Sequence, residues 1–265
     1  MPPKKQHKKT KKVKKSYGWL YIVVPVLLLA AYVGYTYWKQ LQEERKAKFA
    51  VYPAFGIPLP LGYTIHGIDV SSYQEYIFWP SVKQMKAQDI QLKFAFIRAT
   101  TGPKDADKQF KHNWAAAKEA GLARGAYHYF LATKSGKQQA LNFINTVKLE
   151  PGDLPPVLDV EQLYGVSPET MRKEVSDWLQ IVEDTFKVKP IIYSYEDFYN
   201  NYLGNSYLDY PLWVAHYISK DRPKVKRDWQ FWQHSDAGKV NGITTKVDFD
   251  VFGGDSLQFA QLLVK

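Results

Sequence analysis

Two carboxylates stand two residues apart at the end of a short apolar run, Pro156-Val157-Leu158-Asp159-Val160-Glu161. Side chains alternate along a strand, so Asp159 and Glu161 point the same way, with Cα atoms about 6–7 Å apart. Acids held that close in a cleft cannot both ionise easily, and one can stay protonated as a general acid while its neighbour carries charge. A lone pair of this kind also describes any exposed strand end, so the chemistry depends on what surrounds it. Asp69, Asp248 and Asp250 lie on comparable apolar segments. So do Tyr127, Tyr129, Tyr193, Tyr195, Trp213, Tyr217 and Trp232. Each aromatic alone is ordinary strand filler. Acids and rings gathered at one rim suit a carbohydrate, whose C–H faces stack on rings and whose hydroxyls bond carboxylates.

The elements that would gather them recur regularly. Eight apolar segments are read as strands: 65–71, 93–100, 123–130, 156–161, 190–195, 211–217, 229–235 and 247–252. Residues 79–88, 107–120, 135–148 and 168–186 show the three- and four-residue apolar spacing of helices, and 196–203 forms a shorter one. Ser167-Pro168 is a helix start, with serine as N-cap and proline in the first turn. The gaps then shorten and lose helical pattern. The expectation is an α/β fold, an irregular TIM-like (β/α) barrel of about five β/α units followed by three loop-linked strands. Catalytic groups of such barrels sit on the loops where strands end.

The ends of the chain constrain location. Residues 1–16 hold eight lysines and no acid, and residues 17–38 then run for 22 positions without a charge. That length spans a hydrocarbon core of roughly 30 Å as a helix, with Trp19, Tyr21, Tyr35, Tyr37 and Trp38 near its ends. The reading is a basic cytoplasmic N-terminus (1–16), a transmembrane helix (17–38), a tether (39–64) and an extracytoplasmic barrel domain (65–265), periplasmic or at the cell surface. A cleaved signal peptide competes with it, but Leu29-Ala30-Ala31 is a weak cleavage site and the apolar run continues past it.

The formal charge of +10 belongs largely to this anchor. Eight of the 36 basic groups lie in residues 1–38, leaving 28 against 26 acids. The lysines therefore read as a topology signal or an anionic-lipid contact, and no nucleic-acid partner is expected. The chain has no cysteine, which excludes disulfides, thiolate metal sites and cysteine nucleophiles. The histidines have no paired spacing suited to zinc, and neither a metal nor another cofactor is called for. Arg98 shares a strand face with Phe94 and Phe96, so an inward guanidinium needs a carboxylate partner; structural pairing and orientation of a catalytic acid both fit.

Seven blocks occur in a particular order: HGIDVS (66–71), FAFIRATT (94–101), GAYHYF (125–130), LDVE (158–161), LWVAHY (212–217), Trp232-Gln233 and VDFDVF (247–252). This order resembles glycoside hydrolase family 25, the Chalaropsis-type lysozymes or N-acetylmuramidases, from Ile65 to about Gly254. The resemblance implies hydrolysis of the β-1,4 bond between N-acetylmuramic acid and N-acetylglucosamine in peptidoglycan. It implies that Glu161 is the general acid and base and that Asp159 steadies the substrate's own acetamido group as it attacks the anomeric carbon with net retention. Asp69 and Asp248 match the family's other acids, and Tyr127, Tyr129, Tyr193, Trp213 and Gln233 are taken with them as substrate-binding. Asp250 departs from the pattern, standing where the family often has asparagine. The alternating acids of family 18 chitinases are missing, with Leu154 and Val157 upstream of Asp159. A catalytically silent glycan-binding membrane protein is the alternative, and the presence of all four matching acids favours the enzyme.

Overall fold

The computed structural model describes residues 20–217 and 221–265, except for the side chains of Leu20, Glu44 and Arg45. The basic segment 1–16 and the first residues of the expected span, Tyr17 and Trp19 included, lie outside them. The chain divides into two units, 1–46 and 47–265. In the first, helix α1 (Leu20–Arg45) contains a stretch, Tyr21–Glu43, long and apolar enough to cross a membrane.

The second unit is a closed barrel. Its strands are β1 (His66–Val70), β2 (Ile90–Thr101), β3 (Ala123–Tyr129), β4 (Val157–Asp159), β5 (Ile191–Tyr195), β6 (Leu212–Ala215), β7 (Phe231–Gly238) and β8 (Val247–Phe252). From β1 to β7 each strand pairs in parallel with the next. Strand β8 runs antiparallel between β7 and β1 and closes the ring. Helices α2 (Trp79–Gln84), α3 (Phe110–Glu119), α4 (Gly136–Thr146) and α5 (Pro168–Phe186) lie between the early strands. After β5 come a short helix, α6 (Glu196–Phe198), a π turn (Tyr199–Leu203) and a 3₁₀ turn (Gly204–Tyr207). The expected regular first half and irregular second half are present.

Packing explains how the ring stays filled. Phe94, Phe96, Trp213 and Phe231 occupy the interior, with ring centroids of Phe96 and Trp213 4.4 Å apart. A Cβ at Gly67 would lie 2.4 Å from the Phe94 ring, and one at Gly125 2.5 Å from Phe96. Only glycine on the flanking strands leaves room for both phenylalanines. The outer layer packs Trp178 and Val175 of α5 against the sheet and α4. Helix α5 begins as its sequence predicts, with Ser167 accepting from the Thr170 N–H at 3.2 Å.

Three elements differ from expectation. Helix α2 stops at Gln84, because Gln88 takes a left-handed conformation (φ 56°) and residues 86–87 fold back to pair with 90–91. A seventh helix, α7 (Ser256–Leu262), starts at an Asp255–Gln258 capping box and sets Phe259 against Phe94 and Phe252 at the barrel floor. The segment expected as a tether, 39–64, contains an antiparallel hairpin of 49–52 with 57–60. Its Tyr52, Phe55, Ile57 and Leu59 are buried, and Phe55 meets Phe249 of β8 edge-on at 5.2 Å. Strands β7 and β8 are joined without a crossover helix, so their outer face needs cover, and the hairpin supplies it. Pro58 and Pro60 are tolerated because this is a two-stranded ribbon rather than a central strand.

Candidate active site

Strands β1 to β7 all point their C-terminal ends to one rim. Because β8 runs the other way, its beginning reaches that rim, and Asp248 pairs in register with Asp69. Asp248 therefore joins the other acids from the N-terminal end of its strand, the reverse of the strand-end placement that sequence periodicity suggests. Two residues further along, Asp250 lies deeper, opposite Gly67 and Gln233.

The rim opens into a cavity of about 190 Å³. All nine residues expected there line it: Asp159, Glu161, Asp69, Asp248, Tyr127, Tyr129, Tyr193, Trp213 and Gln233. They are not equally open to it. Tyr193, Trp213 and Gln233 are buried at its base, where the Tyr193 hydroxyl donates to Gln233 Oε1 at 2.9 Å and Gln233 Nε2 donates to Asp69 Oδ2 at 2.7 Å. Trp213 Nε1 donates to Asp250 Oδ1 at 2.8 Å. The polar ends of these three side chains thus hold the acids in place.

Strand β4 ends at Asp159, and the Val160 N–H continues its ladder by donating to the Tyr193 carbonyl at 2.9 Å. Glu161 stands just beyond, half-open to solvent, on the side that strict alternation predicts. Burial raises Asp159 well above the ordinary carboxylate range, the Glu161 carboxyl adds to the rise, and the Arg98 charge opposes it. Burial also raises Glu161, against hydrogen bonds from Tyr195 and Tyr129 that favour its anion. Tyr129 is steadied in turn by Tyr164, hydroxyl to hydroxyl at 3.0 Å, and Tyr164 takes a positive φ of 50° on the loop after β4. A non-glycine residue in that conformation marks a loop whose shape is imposed by its surroundings.

The second group of acids is more crowded. Asp69 is raised well above its usual range by burial, then by Asp248 and Asp250. Asp248 is pushed up to about 7, by burial first and by Asp236 and Glu161 next. Asp250 is fully buried and also raised, by burial and then by Asp248. Near neutral pH the site therefore holds protons that free carboxylates would have released. It can donate a proton, stabilise a developing positive charge, and bind hydroxyl or amide groups.

Three further lining residues carry no catalytic or binding assignment from the sequence, which offers Arg98 as an orienting cation and Tyr195 and Tyr217 as rim aromatics. Tyr195 follows Tyr193 by two positions on the same strand, a signal that alternation carries. Arg98 pairs with buried Asp107, Nε to Oδ2 at 2.9 Å, and its Nη2 donates to Ser72 Oγ at 3.1 Å. The guanidinium is thus both structurally paired and close enough to Asp159 to act on it. Trp232 faces away from the site. Its neighbour Gln233 points inward, so Trp232 lies on the outer face against Phe49, Tyr63 and Trp229. Buried His128, pulled down to about 4 by burial, is held between Thr100 and Gln139.

Comparison with known proteins gives concordant results. The model of glycosyl hydrolases family 25 matches residues 68–243. An uncharacterized protein of Escherichia coli K12, YegX, is 49% identical over 201 residues, covering 76% of this chain and 74% of its own. Lysozyme M1 of Streptomyces globisporus is 32% identical over 213 residues, covering 75% and 71%. Among solved structures, a family 25 glycosyl hydrolase from Bacillus anthracis superposes with a TM-score of 0.70 at 33% identity, covering 76% of this chain and 94% of that one.

Proposed function

The chain belongs to family 25 of the glycosyl hydrolases, and from that premise we propose that it is a muramidase, cutting the β-1,4 bond between N-acetylmuramic acid and N-acetylglucosamine in peptidoglycan. The observation that carries this reading is the Asp159 and Glu161 pair. Both carboxyls are pushed up by burial, they line one open cavity, and Tyr129 and Tyr195 flank the outer of the two. Glu161, protonated, reaches the leaving glycosidic oxygen and delivers its proton as the bond breaks. The carbonyl oxygen of the sugar's own acetamido group attacks the anomeric carbon from the opposite face, forming a cyclic oxazolinium. Asp159 accepts from the acetamido N–H and offsets the positive charge that develops there. Glu161, now a carboxylate, takes a proton from water as that water opens the ring, and two inversions give net retention. Asp69 and Asp248 bind the sugar and set the charge around the pair.

Helix α1 is proposed as an uncleaved membrane anchor, its lysine-rich flank in the cytoplasm and the barrel on the other side. Length and composition support it, and the absence of a strong cleavage site argues against removal. The test of the reaction is digestion of purified peptidoglycan by the detergent-solubilised full chain, followed by mass spectrometry of the new reducing ends. Muramic acid at those ends is expected. Glucosamine would make the enzyme a glucosaminidase, and binding with no product would make it a silent glycan-binding protein. Topology is tested separately by protease treatment of cells before and after the cytoplasmic membrane is broken: digestion of the barrel while that membrane is intact is expected, and digestion only after it is broken overturns the orientation.

A further inference from the structure

The lower group of acids contains one carboxyl more than the proposed reaction uses. Asp250 is fully buried, and only one of its oxygens, Oδ1, accepts from an N–H, that of Trp213. Oδ2 meets no N–H or O–H donor among the described residues. Buried Asp69 lies beside it: Gln233, the register partner of Asp250, donates to Asp69 Oδ2, and the two carboxyls repel each other when both are charged. Two carboxylates cannot hydrogen-bond to each other, since each only accepts. One proton held between them satisfies Asp250 Oδ2 and removes the repulsion of two buried charges. We propose that Asp250 is a positioning residue that shares one proton with Asp69, so that this buried pair presents a single negative charge, spread over two carboxyls, to Asp248 and Asp159.

The surroundings of the pair are consistent with one charge and no more. Asp248 faces it from β8 and Asp159 from β4, both acids, while Tyr127 on β3 and Tyr193 on β5 are neutral and strongly held so. Among the described residues the cation facing this space is Arg98 on β2, and Asp107 already engages it. A second negative charge on the pair would have no partner. At working pH the pair fixes Asp69 in place through donors from two directions, Gln233 and the shared proton. On the alkaline side the proton leaves, the pair becomes doubly charged, and the acids that bind the sugar are pushed apart.

The inference concerns the site proposed above, and its first test needs no substrate, so it fails independently of the muramidase reading. The full chain, its aspartate carboxyls isotopically labelled, is examined by infrared spectroscopy at pH 7. Beside the protons that Asp159 and Asp248 also hold, one protonated-aspartate component is expected that Asp250→Asn and Asp69→Asn each remove and that survives in Asp159→Asn and in Asp248→Asn. The second test is the pH profile of kcat/KM. The alkaline limb of wild type should be steeper than that of Asp250→Asn by one proton, the one the pair gives up, with Glu161 and Asp248 titrating in both proteins. The asparagine amide can donate where the shared proton did, so a purely structural loss is not expected. Superimposable alkaline limbs, or a fall of about a hundredfold or more at every pH, would overturn the proposal. If Asp250→Asn does not fold, the double variant Asp159→Asn with Asp248→Asn decides: no protonated aspartate left in it at pH 7 ends the proposal.

Discussion

At the scale of single residues, the site trades stability for protonation states. Asp248 has an ordinary pKa near 3.8 and is raised to about 7 in the fold. A folded state that holds its proton more tightly than the unfolded chain gains stability at low pH. That gain is complete below about 4 and is lost as pH rises through about 7. Asp248→Asn should therefore stabilise the protein near neutral pH, by on the order of 1–4 kcal/mol, and leave it unchanged in acid. Melting curves of both proteins between pH 4 and pH 8 check this, and parallel curves would show that the carboxyl does not titrate in that window. Glu161→Gln keeps shape and hydrogen bonds but cannot give up a proton, so hydrolysis should fall about 10³-fold with Tm nearly unchanged. Asp159→Asn should approach the same loss, and normal turnover by the Glu161→Gln protein would remove Glu161 from its role.

At the scale of elements, what the sequence shows and what it hides divide along local and non-local physics. Alternation along a strand is local, and it places Asp159 with Glu161 and Tyr193 with Tyr195; it also sets Trp232 opposite to Gln233, which grouping Trp232 with the rim aromatics passes over. The start of α5 is equally local, written in Ser167 and Pro168. The direction of β8 is not, since nothing within residues 247–252 says whether the strand runs with or against β7; only the short connection from 239 to 246 hints at a hairpin. Nor does a Pro- and Gly-rich stretch such as 53–62 show that it will fold, because its burial depends on the bare outer face of β7 and β8. Asp250 illustrates the same limit: its chemistry comes from Trp213 and Asp69, which lie 37 and 181 positions away in the chain. The hairpin yields a test. Phe55→Ala removes a ring packed on Phe249 and should destabilise the barrel by about 3–5 kcal/mol, although it lies before the family match begins at residue 68. Chemical denaturation measures it; a change under about 0.5 kcal/mol would mean that the hairpin is decoration rather than part of the core.

For the whole molecule, the short connection between α1, the proposed anchor, and the barrel unit is the feature with consequences. The barrel unit is near neutral and carries the chemistry, while the net positive charge of the chain lies largely in its first 16 residues. A long flexible tether would let an anchored hydrolase search a thick wall. Here α1 ends at Arg45 and the hairpin begins at Phe49, so only residues 46–48 lie between them. Even fully extended, those residues reach no more than about 14 Å. With α1 as the proposed anchor, a link this short limits how far the barrel unit can range from the bilayer. Inserting about 60 Gly/Ser residues between Lys46 and Ala47 adds a root-mean-square reach of about 40 Å without touching either unit. In vesicles carrying the full chain, the insertion should leave cleavage of soluble glycan fragments unchanged, since these diffuse to the cleft. It should speed the release of fragments from intact sacculi several-fold, because a rigid wall cannot come to the enzyme. Detergent-solubilised wild type, freed from the surface, should match the inserted variant on sacculi. Equal rates on sacculi for both vesicle-bound forms would show that the anchor does not set the working range.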